Sequence, residues 1–181
     1  MPLIVKEEKN NNSIELPSQN NHVAVCIGVW DVGRQKTNYN NEVKISHKVL
    51  IRWEIDEEIS QEGDYQGKKK CVNKFYTLSF HPKSRLRMDV ESWIGTLHDD
   101  VIMKGYDLEN LIGQPCMLNV VHNESNGKTY ANVMTISKLP KGLQPFETDN
   151  LDIYREKEPE FVQKIRDNFA ATLVEEEKAP F

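Results

Sequence analysis

From Glu42 to Ile55 the chain alternates without a break. Val43, Ile45, His47, Val49, Ile51, Trp53 and Ile55 form one set, and Lys44, Ser46, Lys48, Leu50, Arg52 and Glu54 the other. Period two over that length predicts a long half-buried strand with a positive outer face. It commits the first half of the chain to a sheet.

The flanking segments extend the pattern. Val23 to Val32 reads as a first strand, with Val23, Val25, Ile27 and Val29 on one face. Gly28 in its middle predicts a bulge or sharp bend. A polar loop with asparagines at 38, 40 and 41 follows. A third strand is predicted from about Lys70 to Phe80. The period then changes to that of a helix starting at Pro82 or Ser84, with Leu86, Val90, Trp93 and Ile94 on one stripe and Gly95 at its end. Short helical pieces at 99–104 and 108–111 precede a fourth strand over Cys116–His122. Asn126-Gly127 supplies a hairpin turn into a fifth strand over Thr129–Ser137. A last helix follows Pro159, with Phe161, Val162, Ile165 and Phe169 on one stripe.

The order β-β-β-α-β-β is that of the OB-fold, a five-stranded Greek-key barrel with a helix between strands three and four. Other small barrels and an α+β sandwich share this content. The expected organisation is a flexible arm over 1–21, the OB domain over 22–145, a linker and amphipathic helix over 146–174, and an acidic tip over 175–181. No apolar run reaches the ~18 residues of a membrane span, and no signal-peptide core is visible, so a soluble intracellular protein is expected.

The net charge of −5 argues at first against a nucleic-acid partner. Its distribution reverses that. Residues 146–181 hold five of the 23 basic and ten of the 28 acidic residues, which leaves 1–145 balanced at 18 each. Within the balanced part, Tyr65 to Met88 carries seven basic residues and no acid, with Tyr65, Phe75, Tyr76 and Phe80 among them. Asp56, Glu57, Glu58, Glu62 and Asp64 lie just upstream. Such segregation predicts a basic face on a neutral body and a separate acidic tail.

Catalytic patterns are weak. The five histidines are scattered, and no HExxH, P-loop, GxGxxG or GxSxG is present. Asp99-Asp100 suits a helix start better than a metal. Cys26, Cys71 and Cys116 sit on predicted strands, with no CxxC, and read as buried structural thiols. No enzyme activity and no cofactor or metal is expected.

Binding chemistry is stronger. Lysines can follow phosphates while rings stack on bases, which is what a single-strand groove needs. The candidate contacts are Trp30, Arg34, Lys44, Lys48, Arg52, Lys68, Lys69, Lys70, Lys74, Tyr76 and Tyr130. Trp53 and Trp93 fall in phase with the core, and Phe75 and Phe80 are assigned there too. For Trp30, Tyr76 and Tyr130 the pattern leaves burial and exposure both open. The terminal run Glu175, Glu176, Glu177, Lys178, Ala179, Pro180, Phe181 is a candidate partner-docking tip, its ring and carboxylate suited to a pocket with a basic rim.

That run resembles the tip of bacterial single-stranded DNA-binding proteins, an acidic stretch ending in Asp-Ile-Pro-Phe. It shares the acids and Pro180-Phe181 and departs at Lys178 and Ala179. The body is similar to a group of small bacteriophage OB-fold proteins carried with replication or recombination genes. The similarity lies in Lys74–Phe80 with Lys83–Leu86, Leu111–Cys116 and Gly127–Val133. The resemblance implies binding of single-stranded DNA with little sequence preference, in the cytoplasm of an infected bacterium. It also implies recruitment of phage or host replication and recombination proteins through the tip. A homo-oligomer stays open, as does an OB-type protein–protein adaptor, or inhibitor of a host enzyme, that binds no nucleic acid.

Overall fold

The computed structural model describes residues 15–148 and 157–178, with the side chains of 38–39 and of 170–178 outside the description. Five antiparallel strands form one sheet: β1 (Asn20–Tyr39), β2 (Glu42–Glu58), β3 (Lys69–Thr77), β4 (Pro115–Ser125) and β5 (Lys128–Ser137). Their spatial order is β3-β2-β1-β4-β5. The edge strands β3 and β5 approach each other, and among the described residues no ladder joins them. Helix α1 (Arg85–Ile94) follows β3, and then come the short α2 (Asp99–Lys104) and a 3-10 turn at Leu108–Leu111. The last helix, α3, covers Glu160–Lys178. No described helix is long and apolar enough to cross a membrane.

Local chemistry explains the boundaries. Asn40 and Asn41 adopt positive φ in the two-residue turn joining β1 to β2, and Asn126 and Gly127 do the same between β4 and β5. Ser84 caps α1 by accepting from the Arg87 amide, and Gly95 closes it. The bulge expected at Gly28 is present as a register shift between Cys26 and Gly28. It puts Ala24 and Cys26 before it, and Val29 after it, against the same core. The single-face set of Val23, Val25, Ile27 and Val29 therefore breaks there.

The core lies between the sheet and α1. Val49, Ile51, Trp53 and Ile55 of β2 meet Val72 of β3, Leu118 and Val120 of β4, and Leu86, Val90 and Trp93 of α1. Trp53 and Trp93 sit with ring centroids 6.0 Å apart, and the Trp93 indole N–H donates to the Pro115 carbonyl at 2.9 Å. Burying each such side chain contributes about 1.5–3 kcal/mol.

The alternation of β2 outlasts its core. β3 leaves β2 at Lys48↔Thr77, while β1 and β2 stay paired as far as Tyr39↔Glu42. Beyond that point the two strands form a projecting ribbon. Val43 and Ile45, expected inside, are 57% and 49% exposed on it, and His47 is exposed and bonded to Asp31 at 2.6 Å.

The opposite sheet face carries a second, smaller core. Trp30, Val32 and Leu50 are buried there beneath Phe161, Val162 and Ile165 of α3. Phe161 meets Trp30 edge-on at 5.6 Å. Arg166 donates from Nε to the Asp31 carbonyl at 2.9 Å and pairs with Glu158, fixing the helix along β1. This helix runs on through Glu175, Glu176 and Glu177, so those acids stand on helical backbone.

Candidate nucleic-acid interface

The phase of β3 decides which groups meet solvent. Its even residues, Lys70, Val72, Lys74 and Tyr76, turn inward, whereas Lys69, Cys71, Asn73, Phe75 and Thr77 turn outward. Phe75, expected in the core, is 49% exposed.

Four of the expected contacts are withdrawn from solvent. Tyr76 is buried, and its hydroxyl donates to Asp89 at 2.8 Å. Burial, then the Asp89 carboxylate, push its phenol far above the ordinary value. Lys74 also pairs with Asp89 at 2.8 Å, and burial lowers its ammonium pKa despite that partner. Trp30 lies beneath α3. Lys70 is 5% exposed and is held by Glu15 at 2.8 Å, Glu57 at 2.5 Å and the Leu16 carbonyl at 3.1 Å. Arg52 is half-buried, its guanidinium 4.9 Å from the centre of the Phe161 ring.

The Lys70 cluster is a clasp on residues 15–18. Glu15 also accepts from the Ser60 and Gln61 amides at 2.9 Å, and Ser18 donates to Glu57. Lys70 holds the Glu15 carboxyl down at about 2, and the Glu57 carboxyl also lies below its ordinary value, because the hydrogen bonds from Lys70 and Ser18 and the Lys70 charge together outweigh burial. Carboxylates with depressed folded values stabilise fully above about pH 5 and lose that contribution as pH falls through the folded values. Protection of the Ser18 amide, which donates to Glu57 at 3.0 Å, should by hydrogen exchange be constant from about pH 5 to 9 and fall as pH drops from about 4 to 2. Equal protection at pH 3 and 7 would contradict the clasp.

One arrangement beside the clasp has the elements of a nucleophilic triad. The Ser18 hydroxyl lies 3.5 Å from His22 Nε2, and His22 Nδ1 lies 3.4 Å from Asp56. However, His22 Nε2 also meets the Ser18 carbonyl at 2.9 Å, so that nitrogen carries its proton and cannot accept one from the hydroxyl. The hydroxyl gives its own proton to Glu57 at 2.7 Å. Among the described residues no group of His, Cys, Asp or Glu is placed to hold a metal ion.

The cations and ring that remain accessible converge at the far end of β3. A cleft of about 410 Å³ is lined there by Lys48, Phe75, Thr77, His81, Lys83 and Arg85, among others. Lys48 donates to the Thr77 hydroxyl at 2.9 Å, which holds its ammonium at the rim. Burial, then neighbouring Lys44, lower its pKa, and an anion in the cleft would offset the repulsion from Lys44. Lys83 is exposed and has no ion pair among the described residues. Arg85 is anchored to Asp89 and to the Met134 carbonyl, both at 2.8 Å, with half its side chain exposed. Half-exposed Phe75 is the open aromatic ring of the lining. Lys83 and Arg85 belonged to the basic stretch of the sequence, but nothing local singled them out.

The other expected contacts are dispersed. Arg34 and Lys44 are exposed on opposite faces of the β1–β2 ribbon. Tyr130 is 48% exposed on the β4–β5 hairpin. Lys68 and Lys69 stand at the start of β3 beside Tyr65 and Phe146, with ammonium-to-ring distances of 5.1 and 4.8 Å. Trp30, Tyr76 and Tyr130 therefore do not share one open face with the lysines. Pro180 and Phe181 lie outside the described residues, as do the side chains of Glu175, Glu176 and Glu177. Comparison with models of known protein families gives no match, and comparison with curated proteins gives none either.

Proposed function

We propose that this chain is an OB-type single-stranded DNA-binding protein of the kind that serves phage replication or recombination. The observation that carries the reading is the exposed Phe75 ring set among Lys48, Lys83 and Arg85 in one cleft on the outer side of β3. A ring stacks on any base, and cations follow phosphates, so such a site binds a single strand with little regard to sequence. The strand order β3-β2-β1-β4-β5, with α1 between β3 and β4, supports an OB barrel, whose outer face over strands two and three is a nucleic-acid platform. The acidic run with Pro180 and Phe181 would recruit replication or recombination proteins, in the bacterial cytoplasm.

Fluorescence anisotropy with labelled oligo-dT tests this. Wild-type affinity should fall as salt rises, with a log–log slope near −2 for about three neutralised phosphates. Phe75→Ala should weaken binding roughly tenfold or more, because stacking is worth about 1–3 kcal/mol per base. Its thermal midpoint should barely move, since the ring is half-exposed. The burial of Lys70, Lys74, Tyr76 and Trp30 favours the adaptor reading to one extent: it shrinks the open basic and aromatic surface. Absence of any salt-dependent anisotropy signal would decide for the adaptor.

A further inference from the structure

We infer a second stacking subsite for the same single strand, formed by Tyr65 and Phe146 with Lys68 and Lys69, at the opposite end of β3 from the Phe75 cleft. The inference rests on the single-strand reading above and extends it to a ligand of defined minimum length. Three observations carry it. Tyr65 is 67% exposed, and the Lys68 ammonium stands 5.1 Å from its ring centre. Phe146 is half-buried and carries the Lys69 ammonium 4.8 Å from its ring. Neither lysine has an ion pair among the described residues, although Glu58 pairs in register with Lys69 and Glu62 and Asp64 share the loop.

The phase of β3 joins the two patches. Lys69 lies on the outward set of β3 with Cys71, Asn73 and Phe75. The two ring-and-cation patches are thus ends of one continuous outer strip, and exposed Asn73 lies between them. On the other side, α3 rises over Leu50 and Arg52, so the strip has a wall. Phe75 lies six residue steps along the strand from Lys69, a span of about 20 Å at ~3.3 Å per residue. A stacked strand advances ~3.4 Å per nucleotide, so about six nucleotides reach from patch to patch, and fewer if the strand is stretched. That lies within the usual range of roughly 4–16 nucleotides for one OB domain.

The test is a length series of labelled oligo-dT, from about 3 to about 12 nucleotides, on the full chain. Wild type should show a step in affinity once the oligonucleotide spans both patches. Tyr65→Ala should remove the step, costing roughly 5- to 100-fold on the longest oligonucleotide and nothing on the shortest. Tyr65→Phe should restore it, because stacking needs the ring and not the hydroxyl. Phe75→Ala should weaken every length. An unchanged affinity of Tyr65→Ala for the longest oligonucleotide, with binding still lost in Phe75→Ala, overturns the second subsite and leaves the first. No binding of any length by the wild type overturns the single-strand reading itself.

Discussion

Replacing Asp89 with alanine should destabilise the protein by about 3–5 kcal/mol, the cost of removing one partner from a buried ion pair. Asp89 is 5% exposed and accepts from Lys74, Tyr76 and Arg85, each at 2.8 Å. Without it the Lys74 ammonium, whose side chain is only 17% exposed, loses its counter-charge, and the Tyr76 hydroxyl loses its acceptor in the core. Arg85 is half-exposed and can turn to water, so it contributes least to the loss. Urea denaturation should show the full effect as a lower midpoint with an unchanged slope. The thermal midpoint should fall by about 10 °C for a chain of this size. Asp89→Asn should lie between, since the amide still accepts from Tyr76 but offers no charge to Lys74. Tyr76→Phe should cost only about 1 kcal/mol, because it removes a donor without stranding an ion. A small loss in Asp89→Ala would mean that Lys74 reaches solvent freely. The same geometry changes what charge reversal at Lys74 or Lys70 would measure. Glutamate at either position faces carboxylates, Asp89 in one case and Glu15 with Glu57 in the other. The result is unfolding or release of residues 15–18, not a clean loss of DNA contact.

The outward phase of β3 was the step that sequence reasoning could not take. Lys70, Val72, Lys74 and Tyr76 on one side, and Cys71, Asn73, Phe75 and Thr77 on the other, each mix polar with apolar residues. Binary pattern alone does not choose between them. The choice is made by Asp89 on α1 and by Glu15 and Glu57, which supply the countercharges that let two lysines turn inward. These acids are distant in sequence from β3 or from each other, and no local spacing announces them. The strands themselves were legible, because alternation, Asn-rich turns and the Ser84 cap are local signals. The inward set of β2 was right from Val49 to Ile55 and failed at Val43 and Ile45, since alternation reports a face and not whether anything covers it. The seat of α3 leaves two traces in the sequence. Leu50 is the one large apolar residue in the polar set of β2, and Trp30 pairs with it in register. An apolar residue in an otherwise polar set marks a place where something covers the outer face, and the stripe of Phe161, Val162 and Ile165 was the matching half.

Gly28 is the residue on which that seat depends, and Gly28→Ala should cost about 3 kcal/mol or release α3. A Cβ built at Gly28 lies 2.1, 2.3 and 2.8 Å from three atoms of the Trp30 six-membered ring, closer than any stable carbon contact. The backbone at Gly28 lacks the positive φ seen at Gly33, so alanine is conformationally acceptable there and the penalty is steric. Overpacking of this kind costs about 1–3 kcal/mol, occasionally more, and a rigid indole held by Phe161 has little room to yield. If the ring is forced outward, Phe161 loses its edge contact and Leu50 loses its cover. Limited proteolysis between the sheet and α3 should then accelerate in Gly28→Ala, while far-UV circular dichroism of the sheet persists. The decisive comparison is a double-mutant cycle with Trp30→Ala. Trp30→Ala alone should destabilise by about 3 kcal/mol or more through the void it leaves under α3. In its presence the new methyl at Gly28 meets no ring, so the double variant should be little worse than Trp30→Ala by itself. Additive losses would show that Gly28→Ala acts through the backbone of the bulge and not through the indole. Phe75 pairs in register with Leu50 on the neighbouring strand and stays outside the cover of α3. The folded fraction of Gly28→Ala should therefore keep its affinity for short oligo-dT, which separates the helix seat from the stacking site.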